Sequence, residues 1–158
     1  MIYFNKRLYE GEWVDDQRSG YGREVYPNGN AYEGNYFRNK AHGQGKFTWI
    51  NNCYYEGNWE YGNKIGQGKW VGSHGETYIG DWKDNKANGY GTLTWGPNDV
   101  YEGQWKDFLK HGLGIDKFAN GDFYDGSFIE GLPEGKGTYI WQNKAIYVGD
   151  FWKGMKHG

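Results

Sequence analysis

The sequence predicts an all-β protein, an elongated single-layer antiparallel β-meander built from 23-residue hairpin repeats. Three observations predict this fold. The phrase Tyr-x-Gly-x-aromatic recurs at a fixed interval, glycines recur at fixed positions inside that interval, and apolar residues alternate with a period of two. A fixed period of this size is typical of repeat proteins, in which each unit buries its apolar face against its neighbours. We expect no helix longer than one turn.

The repeats are counted from a lead tyrosine, which defines offset 0 of each unit. Offset 2 is glycine and offset 4 is aromatic in every unit, and glycine recurs at offsets 11 and 13 wherever a unit reaches them. We interpret residues 1–158 as one array, with a half repeat at residues 1–8. The units begin at Tyr9, Tyr32, Tyr55, Tyr78, Tyr101 and Tyr124, with a partial unit from Tyr147.

Each unit is predicted to be a pair of short antiparallel strands. Alternation at offsets 0–4 and 11–17 is a strand pattern. Polar residues at offsets 5–10 predict the first loop. The second loop, Pro27-Asn28-Gly29 in the first unit, suits a type I turn closed by a left-handed glycine. The strand spacing predicts an array about 60–70 Å long.

The register follows from these loops, because residues directly opposite each other in an antiparallel pair share a face. Offset 2 is expected to face offset 13, offset 0 to face offset 15, and offset 4 to face offset 11. One face then carries a stripe of glycines between the lead tyrosines and the offset-4 rings. On the other face offset 1 meets offset 14. The pairs of opposite charge there are Glu10 with Arg23, Glu33 with Lys46 and Glu56 with Lys69.

The composition limits the core and the partners. Only 37% of the residues are apolar but 20% are aromatic, so the core must come mainly from rings that bury roughly 150–250 Å² each. The net charge of −2 does not favour nucleic acid as a partner. No apolar run approaches the ~20 residues that cross a bilayer, and the first residues lack the apolar segment of a signal peptide. We therefore expect an intracellular protein.

The polar residues predict no catalytic or metal chemistry. His42, His111 and His157 share offset 10, but successive units lie roughly 10 Å or more apart, which is too far for shared metal ligands. The stretch from Gly131 to Gly137 is one residue short of a phosphate-binding loop and lacks its Ser or Thr. No pair of carboxylates stands out as an acid/base dyad. The sequence predicts no enzyme activity and no cofactor.

The aromatic face is the first candidate binding surface. A single-layer sheet leaves one broad face uncovered by its own chain, and large exposed aromatic patches mark interaction sites. We expect the offset-4 rings to be structural and the rings at offsets 0, 15 and 17 to be available. The predicted partner-binding residues are Tyr55, Trp70, Tyr78, Trp95 and Tyr101.

A row of basic residues at the hairpin tips is the alternative surface. Such a row would meet anionic lipid headgroups at about 1 kcal/mol per contact. Acidic residues such as Asp15, Asp16 and Asp84 lie beside it, which favours a simply solvated loop. The candidate lipid-binding residues are Arg18, Lys40, Lys64, Lys86 and Lys110, with Lys156 at the same edge.

The repeat resembles the MORN repeat (membrane occupation and recognition nexus). The unit nearest the motif runs from Tyr32-Glu33-Gly34-Asn35-Tyr36 to His42-Gly43-Gln44-Gly45, and the resemblance covers essentially the whole chain. Departures are Ile65, Asn88 and Glu134 at the motif histidine and Gly72 at an aromatic position. The resemblance implies an elongated single-layer antiparallel sheet.

The resemblance also implies a function. It implies a scaffold for cytoskeletal, ciliary or membrane-proximal assemblies, acting through a bound peptide segment or a second array in a dimer. We expect a non-catalytic scaffold that binds protein partners. The alternatives are a phosphoinositide or membrane-surface adaptor, and the targeting region of a larger enzyme, because MORN repeats also occur beside lipid kinase and methyltransferase domains.

Overall fold

A computed structural model describes residues 6–158. Within that range the chain forms fourteen strands and no helix, and the strands follow one another in chain order in one sheet. The predicted all-β antiparallel meander is therefore confirmed. In this part of the chain no helix is present that would cross a membrane. The strands are β1 (Leu8–Val14), β2 (Gln17–Val25), β3 (Ala31–Phe37), β4 (Lys40–Thr48), β5 (Tyr54–Glu60), β6 (Asn63–Val71), β7 (Thr77–Lys83), β8 (Lys86–Gly96), β9 (Asp99–Lys106), β10 (Leu109–Lys117), β11 (Phe123–Ile129), β12 (Leu132–Ile140), β13 (Ile146–Trp152) and β14 (Met155–His157).

Two compact units make up the chain. The first comprises the residues up to Gly75 together with Trp82–Asn85, and the second comprises Glu76–Asp81 and Lys86–Gly158. Strands β1 to β6 belong to the first unit and β8 to β14 to the second, while β7 contributes residues to both. The predicted half repeat at residues 1–8 falls mostly on residues 1–5, which lie outside the described residues.

Most of the predicted register is confirmed in both compact units. In the first, Gly57 lies opposite Gly68 and Tyr55 opposite Trp70. In the second, Asp116 of β10 lies opposite Tyr101. The oppositely charged pairs of the other face also lie directly opposite each other. They are Glu10 with Arg23, Glu33 with Lys46, and Glu56 with Lys69.

The first loop of each repeat is shorter than predicted. Instead of a loop over offsets 5–10, a two-residue turn joins the strands, so that Val14 pairs with Gln17 in the first hairpin. Both turn residues have positive φ, 48° at Asp15 and 59° at Asp16. This is the type I′ geometry, whose twist matches that of the two strands. The second strand therefore begins at offset 8 rather than offset 11.

A bulge beside the offset-11 glycine accommodates the extra residues. Within the first hairpin Trp13 pairs with Arg18, so the prediction that offset 4 faces offset 11 is wrong there. It holds between successive repeats, where Gly20 lies opposite Tyr36. Gly20 has a φ of 83°, which glycine adopts without a steric penalty. Because of the bulge, Gly20 has no partner in its own hairpin and pairs with Tyr36 of the next repeat.

A polar side chain at offset 3 satisfies a backbone amide of this bulge. The Tyr21 amide donates to the Glu12 carboxylate at 3.0 Å. The same bond joins the Leu113 amide to the Gln104 side-chain oxygen at 2.8 Å. Because a backbone amide without a partner is unfavourable, the offset-3 residue stabilises the bulge.

The second loop has the predicted geometry. The Gly29 amide donates to the Tyr26 carbonyl at 2.9 Å, and the Tyr26 amide donates to the Asn30 carbonyl at 2.9 Å. Gly29 has a φ of 90°, the left-handed conformation expected at the end of a three-residue loop. The Pro-Asn-Gly prediction is therefore confirmed.

One turn gives a stability prediction. Phe108 occupies the second position of its two-residue turn with a φ of 69°, and its side chain is 51% exposed. A left-handed backbone is unfavourable for a residue with a Cβ. We expect the free energy of unfolding of Phe108→Gly to exceed that of Phe108→Ala by about 0.5–1 kcal/mol, measured by urea denaturation, because the left-handed strain of about 1–2 kcal/mol outweighs the extra chain entropy of glycine. Phe108→Ala is the matched control, since it removes the ring but keeps the Cβ. A glycine variant no more stable than the alanine variant would contradict the proposed strain.

Candidate binding face

The lead tyrosines form the core of the sheet. A Cβ built on Gly68 would lie 2.4 Å from the Tyr55 ring, so this ring covers the glycine stripe. The Tyr55 hydroxyl donates to the Asn58 carbonyl at 3.0 Å. The other six lead tyrosines make the same bond to the residue at offset 3. The ring and hydroxyl are therefore both fixed against the backbone.

Three of the five predicted partner-binding residues are not accessible. Tyr55 and Tyr101 are fully buried and Tyr78 is 4% exposed, so the expectation that offset 0 is available to partners is wrong. The reason is that lead tyrosines such as Tyr55 and Tyr101 pack edge-to-face between two offset-4 rings. Tyr55 lies 5.2 Å from Trp59 and 4.9 Å from Trp82, measured between ring centroids. Such pairs add about 0.5–1.5 kcal/mol beyond their buried area.

The offset-4 tryptophans are held by hydrogen bonds as well as by ring contacts. The indole N–H of Trp59 donates to the Gly45 carbonyl at 2.9 Å, and that of Trp105 donates to the Gly91 carbonyl at 3.0 Å. Each bond reaches back to the glycine at offset 13 of the preceding repeat. The expected structural role of the offset-4 rings is in keeping with these bonds.

On the aromatic face, rings at offsets 15 and 17 are accessible. Trp95 is 46% exposed and Trp70 is half-buried, so these two predicted residues do present surface. Neighbouring rings support one another: Phe47 and Trp49 lie 4.9 Å apart between centroids. We call these rings, within each compact unit taken by itself, the outer aromatic row. Its members are Tyr26, Phe47, Trp49 and Trp70 in the first compact unit, and Trp95, Phe118, Tyr139 and Trp141 in the second.

The five predicted basic residues do not form one row at the tips. Lys40 and Lys86 stand at offset 8 and are exposed. Arg18, Lys64 and Lys110 stand at offset 9 and are half-buried. Successive residues of a strand point to opposite faces. The offset-9 side chains accordingly lie against the aromatic face, and the prediction of a continuous basic row is wrong.

Two of the offset-9 cations are neutralised inside the protein. Arg18 forms an ion pair of 2.6 Å with Glu24, which is 1% exposed. Lys110 forms an ion pair with Asp116, which is 3% exposed, and its ammonium lies 4.9 Å from the Tyr101 ring centroid. Burial raises the pKa of the Asp116 carboxyl, and the bond from Lys110 opposes that rise. In both pairs the acid is at offset 15.

Lys64 occupies the same position without an acid. Its ammonium lies 5.3 Å from the Trp59 ring centroid, 5.4 Å from that of Trp49 and 5.6 Å from that of Tyr55. No carboxylate of residues 6–158 lies within 4 Å of it. Burial lowers the pKa of the Lys64 ammonium. The residue at offset 15 of this repeat is Trp70.

Sequence reasoning missed this alternation, although the sequence contains its signal. Offset 9 is basic in every second repeat and small or apolar in the repeats between. The basic members are Arg18, Lys64, Lys110 and Lys156, and the others are Ala41, Ala87 and Pro133.

No candidate metal site is present in the described part of the chain, because no group of three or more His, Cys, Asp or Glu side chains there could hold a metal ion.

Comparisons with known proteins agree with the fold. The chain is similar to the Drosophila melanogaster SAS-4 (dCPAP) TCP domain, solved in complex with a Proline Rich Motif of Ana2 (dSTIL). The two share 15% identity and a TM-score of 0.56, over 94% of this chain and 81% of that chain, so the likeness concerns the fold alone. A family model of the MORN repeat matches residues 9–31, 32–54, 78–100, 101–123, 124–145 and 147–158. MORN repeats are modules that bind proteins or membranes and are generally non-catalytic. Because these matches span most of the sequence, the chain belongs to the MORN repeat family.

Proposed function

We propose that this protein is a non-catalytic scaffold that binds a segment of a partner protein on the outer aromatic row of a compact unit, within a cytoskeletal or ciliary assembly. The observation that carries the proposal is the exposure of rings such as Trp95 on a face whose deeper rings are already packed. Trp and Tyr are the residues most enriched at the energetic centres of protein interfaces. The family membership and the peptide complex of the SAS-4 domain support the same function.

The rigid layer beneath the outer aromatic row favours binding. Trp59 and Trp82 pack against the two sides of Tyr55, so the surface above these rings is pre-organised before a partner binds. Pre-organised side chains lose little conformational entropy on binding. A flexible apolar surface of the same area would bind more weakly.

A lipid-surface function receives less support from the charges. Arg18 and Lys110 are paired with buried carboxylates, so their charge is already compensated. Lys40 and Lys86 remain as exposed lysines of the five candidates. Stable membrane attachment through headgroups needs several contacts of about 1 kcal/mol each. A second copy of the chain is a further protein partner that the same rings would suit.

The test compares two double variants in co-precipitation from native extract and in flotation with anionic vesicles. We expect Trp70→Ala with Trp95→Ala to weaken binding of the partner about thirtyfold, because tryptophans at the energetic centre of an interface contribute more than 1 kcal/mol each. Lys40→Gln with Lys86→Gln should leave recovery unchanged, both near physiological salt and at about 0.5 M salt. Loss with the lysine variant or with salt, together with flotation on vesicles, would instead establish a lipid adaptor.

A further inference from the structure

The buried ion pairs of the aromatic face follow a rule. A cation at offset 9 meets a carboxylate at offset 15 of the same strand, as Arg18 meets Glu24 in β2 and Lys110 meets Asp116 in β10. Each acid lies opposite a lead tyrosine, Glu24 opposite Tyr9 and Asp116 opposite Tyr101. The aromatic face therefore has a defined place for one carboxylate beside each such cation.

The repeat that begins at Tyr55 keeps the cation and lacks the acid. Lys64 stands at offset 9, while Trp70 lies opposite Tyr55 where the other two repeats have a carboxylate. The ammonium is half-buried among the rings of Trp49, Tyr55 and Trp59. Those rings attract a cation, but they do not neutralise it, and a buried charge without a counter-ion is unfavourable.

We propose that Lys64 receives a carboxylate from a partner, an acidic side chain in a peptide segment whose apolar neighbours pack on Trp49 and Trp70. This inference rests on the proposed function and names the chemistry of its partner. The bound acid would replace the carboxylate that Glu24 and Asp116 supply in the other repeats. The aromatic surroundings would strengthen the new ion pair, since they exclude water from it.

A single carboxylate suits this place better than a lipid phosphate. Phosphate groups carry more charge and are commonly held by several cations or by the bidentate guanidinium of arginine. Lys64 is one lysine walled by rings. The pairs at Arg18 and Lys110 show that the face accommodates a carboxylate beside such a cation. Both observations point to an Asp or Glu side chain.

The experiment uses random dodecapeptides displayed on phage and selected on the whole protein. We expect the selected peptides to share an acidic residue beside apolar ones. Changing that residue to its amide should weaken binding about tenfold or more, measured by fluorescence anisotropy, as should Lys64→Gln. The two changes together should cost little more than either alone, because both remove the same ion pair. Lys40→Gln is the control of equal charge and should leave affinity within about twofold.

A second pair of variants separates the charge from the ring. Trp70→Glu places a carboxylate where Asp116 stands in the repeat of Lys110, whereas Trp70→Gln has the same shape without the charge. Both remove the Trp70 ring, so any difference between them reports on Lys64. We expect Trp70→Glu to bind the acidic peptide about tenfold more weakly than Trp70→Gln, and to unfold at a higher temperature.

Three results would overturn the inference. The first is that the selected peptides lack an acidic residue and bind Lys64→Gln as tightly as they bind the unchanged protein. That result would disprove the role of Lys64 and leave the proposed scaffold function intact. Recovery of no peptide at all would count against both. Binding to vesicles that contain a phosphoinositide, lost on Lys64→Gln while peptides are not bound, would assign the lysine to a lipid headgroup instead.

Discussion

Gly68→Val should lower the free energy of unfolding by about 3 kcal/mol or more. The first side-chain carbon at this position would lie 2.4 Å from the Tyr55 ring, well inside van der Waals contact. The ring has no room to move, because Trp59 and Trp82 pack against it and its hydroxyl is bonded to Asn58. Displacing it would sacrifice two edge-to-face contacts of about 0.5–1.5 kcal/mol each as well as the overpacking energy.

The chain offers a matched control for this variant. A Cβ on Gly96 would meet no atom within 4 Å, and Gly96 has no positive φ, so Gly96→Val should be tolerated. Urea denaturation followed by tryptophan fluorescence compares the two. We expect the midpoint of Gly68→Val to fall by about 1–2 M relative to Gly96→Val. Gly91→Val should behave like Gly68→Val, since its Cβ would lie 2.3 Å from the Tyr78 hydroxyl. Equal midpoints would disprove the packing of the tyrosine on the glycine stripe.

The sequence period predicts which residues share a row, and for that reason the register could be predicted. A strict repeat fixes the order of neighbours, so Gly57 opposite Gly68 and Tyr55 opposite Trp70 follow from two loop positions. The period does not predict which way a ring leans. The Tyr55 side chain is covered by Trp82, a ring 27 positions further along the chain, and pairing rules for adjacent strands do not reach that far.

The length of the first loop could not be predicted from the sequence, for a different reason. The alternating pattern predicts an ordinary strand residue at offset 11, whereas Gly20 has a φ of 83° and lies in a bulge. A glycine in a strand pattern is compatible with both states. The residues at offsets 6 and 7 are a weak signal, because only three of the seven turns, those with Gly62, Gly131 and Gly154, have the glycine that usually marks a type I′ turn.

The basic residues at offsets 8 and 9 show that averaging over single repeats hides a difference between alternate repeats. Counting basic residues near the tips groups Lys40 with Lys64, although they stand at adjacent offsets and face opposite sides of the sheet. A count over pairs of repeats would have separated them. The partner acids would then have followed, because Glu24 and Asp116 are each six residues beyond a cation at offset 9.

Raising the pH to about 11–12 should unfold the protein cooperatively. Burial disfavours the phenolate and raises the pKa of five lead tyrosines above the ordinary value of 10.0, to about 12 for Tyr124 and higher for Tyr32, Tyr55, Tyr78 and Tyr101. A raised pKa in the folded state means that the unfolded state loses its proton first. The stabilisation is therefore fully present below pH 10 and is lost as the pH rises towards the folded-state values.

The expected effect is large because six buried tyrosines act together, since burial raises the pKa of Tyr36 as well as of these five lead tyrosines. Each contributes about 1.4 kcal/mol per pH unit above 10, so the free energy of unfolding should fall by about 8 kcal/mol per pH unit. A typical domain has only about 5–15 kcal/mol to lose. We therefore expect unfolding within about one to two pH units above 10, with phenolate absorbance rising in the same step as the circular dichroism of the sheet disappears. Tyr55→Phe with Tyr101→Phe removes two of the six groups and should make the fall about one-third less steep. A sheet signal that persists while these tyrosines ionise would show that their rings are not held in the core.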